Sequence, residues 1–230
     1  IKDPWNRLLM LQENEYIVPR ECGKPVVYLY PTAPTKVTVS FINPMQLSTT
    51  IPTYQNQWQV LASPSGTLQD LQPAVTNCAT LDTQAHGSEY AEEACKTHTY
   101  PYLYWAGYVI NKTYPQPEQG WIVAKDDLSN FMNSTLNQVG FNETEKKDML
   151  EYWLPEMLSK NSPYYRISFL DTAAMNQYAP MKITPAPQSI YRLFLDYAPL
   201  QSNTAKIQPQ QLKSVERNGF TMVEWGGLKR

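Results

Sequence analysis

Three carboxylates near the ends of predicted strands are the residues best suited to catalysis. Glu224 lies in the aromatic segment 219–227 before a Gly-Gly pair, and Asp171 and Asp196 stand at or near the ends of other predicted strands. Glycoside hydrolysis requires two acids that face each other across a cleft. Glu224 paired with Asp171 or with Asp196 is therefore the catalytic hypothesis for this chain.

A structural reading of the same carboxylates stands beside the catalytic one. The period-two alternation of a strand points Glu224 away from whatever Val223 and Trp225 bury. Asp171 also fits the N-cap of a short helix, and Glu224 also fits an ion pair with a neighbouring Arg or Lys.

Nucleophilic catalysis finds little support. The chain has two histidines, His86 and His98, and it lacks both a G-x-S-x-G elbow and a helical H-E-x-x-H motif. These absences disfavour serine hydrolases and zinc peptidases. Cys22, flanked by Arg20 and Lys24, could form a reactive thiolate, but a small buried thiol beside a strand is the commoner arrangement.

The remaining cysteines, Cys78 and Cys95, flank the polar segment 79–94. A disulfide between them would close this loop and stabilise the fold by about 3 kcal/mol in the loop-entropy model. A zinc site with His86 and His98 is an alternative with non-standard ligand spacing, and unpaired thiols are a third. Of these, we expect the disulfide, and we expect no metal and no cofactor. Because disulfides persist in oxidising compartments, the disulfide predicts an extracytoplasmic location.

Aromatic residues favour a binding function. If residues 99–110 form one strand, Tyr100, Tyr102 and Tyr104 share one face, with Trp105 beside them. Such a row can stack on sugar rings while its hydroxyl groups bond to sugar oxygens. These four residues are the predicted ligand-binding site, and packing against a layer of helices is the alternative.

Charge and hydropathy exclude other partners. Lys and Arg total 19 against 21 Asp and Glu, which gives a formal net charge of −2, and the cationic residues are scattered singly. A nucleic-acid backbone would require a basic stripe. No apolar run approaches the roughly 20 residues that cross a bilayer, so we expect no transmembrane segment.

The elements that position these residues follow from short-range patterns. Asp3 and Pro4 predict a helical lead-in over residues 1–21. Alternating and aromatic runs then predict strands, with a turn at 63–66. These strands cover residues 24–30, 36–41, 58–62, 67–71, 99–110 and 120–124.

Two helices should follow. Asp126 or Asp127 can cap the first, which Gly140 ends, and Asn142 with Glu145 forms a capping box for the second. Pro155 inside the second pattern predicts a kink or a break.

The C-terminal part returns to strands over 164–170, 181–184, 189–197 and 220–225, with helical turns after Asp171 and over 210–217. The whole predicts an α+β fold: a mainly antiparallel, sandwich-like sheet with a central pair of helices. It should form one domain over 22–230, with 22–125 and 126–230 as alternative subdomains.

Four sequence words carry a resemblance to a known family. They are KPVVYLYP (24–31), GFNETEKKDMLEYWLP (140–155), IYRLFLDYAPL (190–200) and GFTMVEWGG (219–227). In combination they resemble a family of uncharacterised, mostly exported bacterial proteins. The resemblance implies an extracytoplasmic location and a single β-rich module, and it transfers no catalytic residue.

Together these observations predict a non-catalytic extracytoplasmic bacterial module that binds a protein or a glycan at the cell envelope. The alternative is a hydrolase that cleaves glycans with the paired carboxylates. A structural spacer within a longer envelope protein is a third hypothesis.

Overall fold

The computed structural model describes residues 10–12, 15–17, 23–73, 94–110, 112, 114 and 117–229. Within these ranges the chain forms fourteen strands and three complete α-helices, and residues 94–97 are also helical. The strands are β1 (Met10–Gln12), β2 (Glu15–Ile17), β3 (Gly23–Tyr30), β4 (Thr35–Phe41), β5 (Met45–Ile51), β6 (Trp58–Ala62), β7 (Leu68–Asp70), β8 (Thr99–Tyr100), β9 (Leu103–Val109), β10 (Trp121–Ala124), β11 (Tyr164–Leu170), β12 (Met181–Thr184), β13 (Ser189–Leu200) and β14 (Thr221–Lys229). The helices are α1 (Leu128–Gln138), α2 (Glu143–Leu158) and α3 (Thr172–Tyr178).

Two sheets account for most strands. The larger has the order β10-β11-β13-β14-β3-β9-β5, the smaller has the order β12-β4-β6-β7-β8, and β1 pairs with β2. All of these pairs are antiparallel except β13 with β14. The predicted α+β, mainly antiparallel, sandwich-like fold class is confirmed.

The two aromatic segments near the chain ends lie side by side at the centre of the larger sheet. β3 and β14 pair antiparallel from Thr221 opposite Tyr30 to Trp225 opposite Val26. Their middle residues are buried, because layers cover both faces of the sheet. Both halves of the chain therefore contribute strands to one sheet.

Each face of the larger sheet has its own covering layer. On one face α2 packs through Trp153, whose ring centroid is 5.9 Å from that of Tyr197 on β13. On the other face Trp105 of β9 meets Phe41 of β4 at 5.1 Å, so the smaller sheet lies there. The helices α1 and α2, the larger sheet and the smaller sheet form three layers.

The junction of α1 and α2 follows the sequence prediction. Gly140 has φ +77°, a left-handed conformation that glycine adopts without strain, and α1 ends just before it. The side chain of Asn142 accepts from the N–H of Glu145, and the Glu145 carboxylate accepts from the N–H of Asn142, both at 2.9 Å. The start of α1 differs: Asp127 occupies the N-cap position without a side-chain capping bond.

A predicted break and a predicted helical turn are absent. The break at Pro155 does not occur, because proline lies in the last turn of α2 and its own carbonyl still accepts from Ser159 N–H, so the helix continues to Leu158. Residues 210–217 form no helical turn; they are irregular, and bonds to the sheet hold them in place. The Gln210 amide, for example, bonds both the N–H and the C=O of Phe169.

Gly226 and Gly227, at the end of segment 219–227, lie within a strand and do not form a turn. β14 continues through both glycines, and aromatic rings pack directly against their backbone. A Cβ on Gly227 would lie 2.6 Å from the ring of Trp153, and one on Gly226 would lie 2.7 Å from the ring of Phe194. The glycines make room for these rings.

The helix predicted to start at Asp3 falls mostly on residues outside the described ranges. The described parts of the lead-in, β1 and β2, pair as a two-stranded hairpin. None of the helices in the described ranges is long and apolar enough to cross a lipid bilayer.

Candidate functional site

Glu224 lies in a sealed polar cluster between the two sheets. Its carboxylate accepts from Trp105 Nε1 at 2.9 Å and from Arg192 Nε, and all three side chains are buried. Register explains the contact, because Arg192 on β13 lies directly beside Glu224 on the parallel strand β14. The predicted ion pair is confirmed, and Glu224 faces no cleft. We call this group the sealed cluster.

Asp196 is also buried and ion-paired, with Arg166 of β11. Asp196 follows Arg192 by four residues on β13, so it lies about 13 Å further along the strand. Because Arg192 is the residue paired with Glu224, Asp196 is about as far from Glu224. Glycosidase carboxylates lie about 5 to 10 Å apart. The structure does not bring Glu224 and Asp196 together for this chemistry.

Asp171 occupies a third environment. Its side chain accepts from the N–H of Ala174 at 2.9 Å, so it caps α3 as the structural reading predicted. Asp171 is exposed whereas Glu224 is fully buried, so the two carboxylates share no cleft. The paired-carboxylate geometry is absent for both predicted pairs.

The predicted stacking row of Tyr100, Tyr102, Tyr104 and Trp105 is core. The four residues are only 1%, 8%, 4% and 0% exposed. They do not share one strand, because the chain bends after Tyr100 and passes from β8 in the smaller sheet to β9 in the larger sheet. The prediction of a displayed aromatic face is therefore wrong, and packing is the role of these rings.

The cysteine prediction is only partly covered by the described ranges. Cys95 is fully buried and is not a free thiol. Cys22, Cys78 and His86 lie outside the described residues, so the Cys78–Cys95 bridge stays a prediction. Among the residues that the structure describes, no group of three or more potential metal ligands occurs.

A second polar group, which sequence reasoning missed, joins α2 to the centre of the larger sheet. The hydroxyl of Tyr28 donates to Asp148 Oδ2 at 2.7 Å and accepts from Trp225 Nε1 at 3.2 Å. Burial raises the pKa of Asp148, and the Tyr28 hydrogen bond and the charge of Lys24 oppose that rise. These hydrogen bonds fix the position of α2 on the larger sheet.

A large open groove lies at the beginning of β13, and we call it the α3–β13 groove. Its volume is about 800 Å³, within the roughly 300 to 1,000 Å³ of ligand pockets. Three segments line it: the start of α3, the start of β13 and the irregular segment 210–216. The lining residues are Asp171, Thr172, Ala173, Asn176, Gln188, Ser189, Ile190, Tyr191, Leu193, Gln210, Gln211, Leu212, Lys213, Ser214 and Glu216.

The groove exists because two neighbouring strands differ in extent. β11 ends at Leu170, opposite Phe194, while β13 begins five residues earlier at Ser189. The first residues of β13 therefore have no β11 residue beside them. On one side α3 contacts this part of β13, where Thr172 Oγ1 accepts from Arg192 N–H at 2.9 Å. On the other side the Tyr191 hydroxyl donates to a carbonyl of the 210–216 segment at 2.7 Å.

The lining of the groove is mostly neutral and capable of hydrogen bonding. Gln211 and Ser214 are exposed, and within the described ranges their side chains make no hydrogen bond. Ile190, which is 44% exposed, adds apolar surface. Burial, with a contribution from Asp171, raises the pKa of Tyr191, so its hydroxyl stays protonated as a donor. Amide and hydroxyl groups both donate and accept, which suits ligands rich in hydroxyl groups.

No family model, curated protein or solved structure significantly matches the chain. The resemblance of the four sequence words to exported bacterial proteins therefore stays a prediction.

Proposed function

We propose that this chain is a non-catalytic binding module that works outside the cytoplasm, at a bacterial cell envelope, and holds a glycan in the α3–β13 groove. The observation that carries this proposal is the lining of the groove by exposed amide and hydroxyl side chains. The carboxylates that could have supported cleavage are engaged elsewhere, in ion pairs and a helix cap.

A glycan fits the groove better than a strongly charged ligand does. Asp171, Lys213 and Glu216 are the charged residues of the lining, and they bear both signs. Sugar hydroxyls can pair with Gln211 and Ser214, while the apolar face of a sugar ring can rest on Ile190. Protein ligands remain a distinct outcome of the experiment below.

The test combines a glycan array with titration of the best hit by calorimetry. Gln211→Ala should weaken binding about two- to tenfold, the range for one hydrogen bond. Gln69→Ala is the matched control, because Gln69 is an exposed glutamine on β7, away from the groove. A blank array, or equal affinities for both variants and the parent, would count against a glycan in this groove.

A pull-down from envelope fractions separates the two ligand classes. Recovery of one polypeptide by the parent protein, with loss by Gln211→Ala and retention by Gln69→Ala, would assign the groove to a protein and overturn the glycan proposal.

The proposed location rests on the cysteines. A disulfide persists in oxidising compartments and is rare in the cytosol. Intact mass after alkylation of the unreduced, denatured protein should show one modified cysteine, Cys22, if Cys78 pairs with Cys95. Modification of all three sulfurs would remove the argument for an extracytoplasmic location.

A further inference from the structure

The edge strands of the two sheets differ in how they are protected. Natural sheets blunt their edges with bulges, lysines or shortness. β5 has a register shift between Leu47 and Thr49, β12 presents the exposed Lys182, and β8 has two residues. Among the described edge strands of these two sheets, β10 (Trp-Ile-Val-Ala) alone has no register shift, no lysine within the strand and more than two residues.

The backbone of β10 offers unused hydrogen-bonding groups on its outer side. Lys125 N–H donates to Pro163 O, toward β11, so the alternate residues Ile122 and Ala124 direct their N–H groups away from β11. No partner for these two N–H groups occurs in the part of the chain that the structure describes. The outer edge of β10 is thus open at two successive outward positions.

The chain itself begins to pair with this edge and then stops. Gly120 N–H, which is also directed outward, donates to Gln208 O at 2.8 Å, and Gln119 and Gln208 form an isolated parallel bridge. The local geometry therefore already supports an added strand one step before Ile122.

A groove of about 450 Å³ separates this edge from α1. Trp121 and Phe131 meet there with ring centroids 5.3 Å apart, which places apolar surface beside the open backbone. All of β10 and one face of α1 line the groove: Trp121, Ile122, Val123, Ala124, Asp127, Asn130, Phe131 and Ser134. An edge strand beside a helix is an arrangement that can receive an extended polypeptide by strand addition.

Charge distinguishes between a second copy of this chain and another polypeptide. Asp127 is exposed in the groove, Asp126 precedes it, and Glu118 is exposed just before the other end of β10. Antiparallel pairing of two β10 edges would bring Asp127 of one copy toward Glu118 of the other. Like charges oppose that pairing, whereas a cationic segment would be attracted at both ends.

We propose that the outer edge of β10 binds an extended polypeptide segment with a lysine or arginine, which adds as a strand between β10 and α1. The backbone N–H groups of Ile122 and Ala124 hold the segment, and Asp127 selects its cationic side chain. This surface is separate from the α3–β13 groove, so the two proposals can fail independently.

Ala124→Pro is the decisive variant. Ala124 has φ −68° and an outward N–H, so proline fits its backbone and removes no bond to β11. We expect unchanged thermal unfolding but no strand docking. Ala124→Ser is the matched control, because it changes the same position and keeps the N–H.

The probes are short alternating Thr/Val peptides, one with a central lysine, one with a central glutamate, and one with lysine and alternate amides N-methylated. The lysine peptide should bind the parent protein and Ala124→Ser, and it should slow hydrogen exchange at the Ile122 and Ala124 amides. Affinity for Ala124→Pro should fall about tenfold or more, because proline removes one hydrogen bond and its ring also blocks the close approach of the added strand. The glutamate peptide should bind about two- to fivefold more weakly than the lysine peptide, and the N-methylated peptide should not bind.

Several results would overturn the proposal. They are no binding of the lysine peptide to the parent protein, equal binding to Ala124→Pro, or binding of the N-methylated peptide. Sedimentation provides a further check: a dimer of the parent that Ala124→Pro converts to a monomer would assign the edge to a second copy. Gln211→Ala should leave peptide binding unchanged.

Discussion

The sealed cluster and the α3–β13 groove lie next to each other on β13 and use polar residues in opposite ways. Arg192 is buried and donates to Glu224, while its neighbours Ile190 and Tyr191 line the groove. Asn176 links the two regions, since it lines the groove and accepts from Arg192 Nη1 at 3.0 Å. In the cluster, polar atoms bond mainly to other protein atoms, whereas in the groove several stay available.

This difference shows which residue types stay exposed and able to bond to a ligand. A charge taken out of water requires a partner, and a large aromatic side chain gains most when it is buried. Glu224, Asp196 and the aromatic residues of the predicted site are therefore buried and stabilise the fold, and Asp171 stabilises it as a helix cap. Neutral amides lose little by staying in water, and they line the groove in which we propose that a ligand binds.

Removal of the cluster carboxylate should have the largest effect. Glu224→Ala leaves Arg192 buried without its anion, and we expect a loss of about 3 to 5 kcal/mol in unfolding free energy, measured by urea titration. Glu224→Gln, which can still accept from Trp105, should lose less. Near-native stability of Glu224→Ala combined with lost ligand binding would break the comparison, because Glu224 would then belong to a site.

A second substitution probes the close packing of the helix layer on the same sheet. Gly227→Ala would place a Cβ 2.6 Å from the Trp153 ring and 2.7 Å from Leu195 O, so we expect a loss of about 1 to 3 kcal/mol. The double variant with Trp153→Leu should be less destabilised than the sum of the single variants. Strict additivity in thermal unfolding would show that the ring is not the obstacle.

Asp148 gives a smaller, pH-dependent effect. Burial raises its pKa above the ordinary value, so the protonated form favours the folded state. That contribution is fully present below the ordinary pKa and is lost as pH rises through the raised pKa. Asp148→Asn stays neutral and can still accept from Tyr28. Its stability relative to the parent should therefore rise as the pH increases from below the ordinary aspartate pKa of about 3.9 through the raised pKa of Asp148. A flat or falling difference in urea titrations would contradict this account.

The smallest effect on stability is expected in the groove. Gln211→Ala should change unfolding free energy by less than about 0.5 kcal/mol, since the side chain is exposed and makes no bond within the described ranges. The same variant should lose glycan affinity. A large loss of stability would mean that the groove residues stabilise the fold as the sealed cluster does.

Local signals were the part of the fold that the sequence could predict. The Asn142–Glu145 capping box, the Gly140 stop and the Asp171 cap each depend on a few adjacent residues, and only the start of α1 departed from its predicted cap. β5 was missed because Met45–Ile51 lacks a clean alternation of apolar residues. The predicted helical turn over 210–217 was wrong because distant partners, such as Phe169, bond to that segment and hold it in an irregular conformation.

The candidate site could not be predicted in the same way. Its residues come from three segments, and neutral amides such as Gln211 give no distinctive pattern. The predicted aromatic site failed since burial of Tyr100 and Tyr104 depends on a chain crossing between two sheets. Sequence alternation states which residues share a face, but not which layer covers that face.

The pairing of β3 with β14 also sets the order of events during synthesis. Tyr28 and Trp225, which touch at the centre of the sheet, are 197 positions apart in the chain. β3 must leave the ribosome long before its partner is translated, and contacts this remote form slowly. A nascent chain halted before residue 221 would leave the facing edges of β3 and β13 unpaired, since β14 pairs with both strands, and such edges are the kind of surface that chaperones hold.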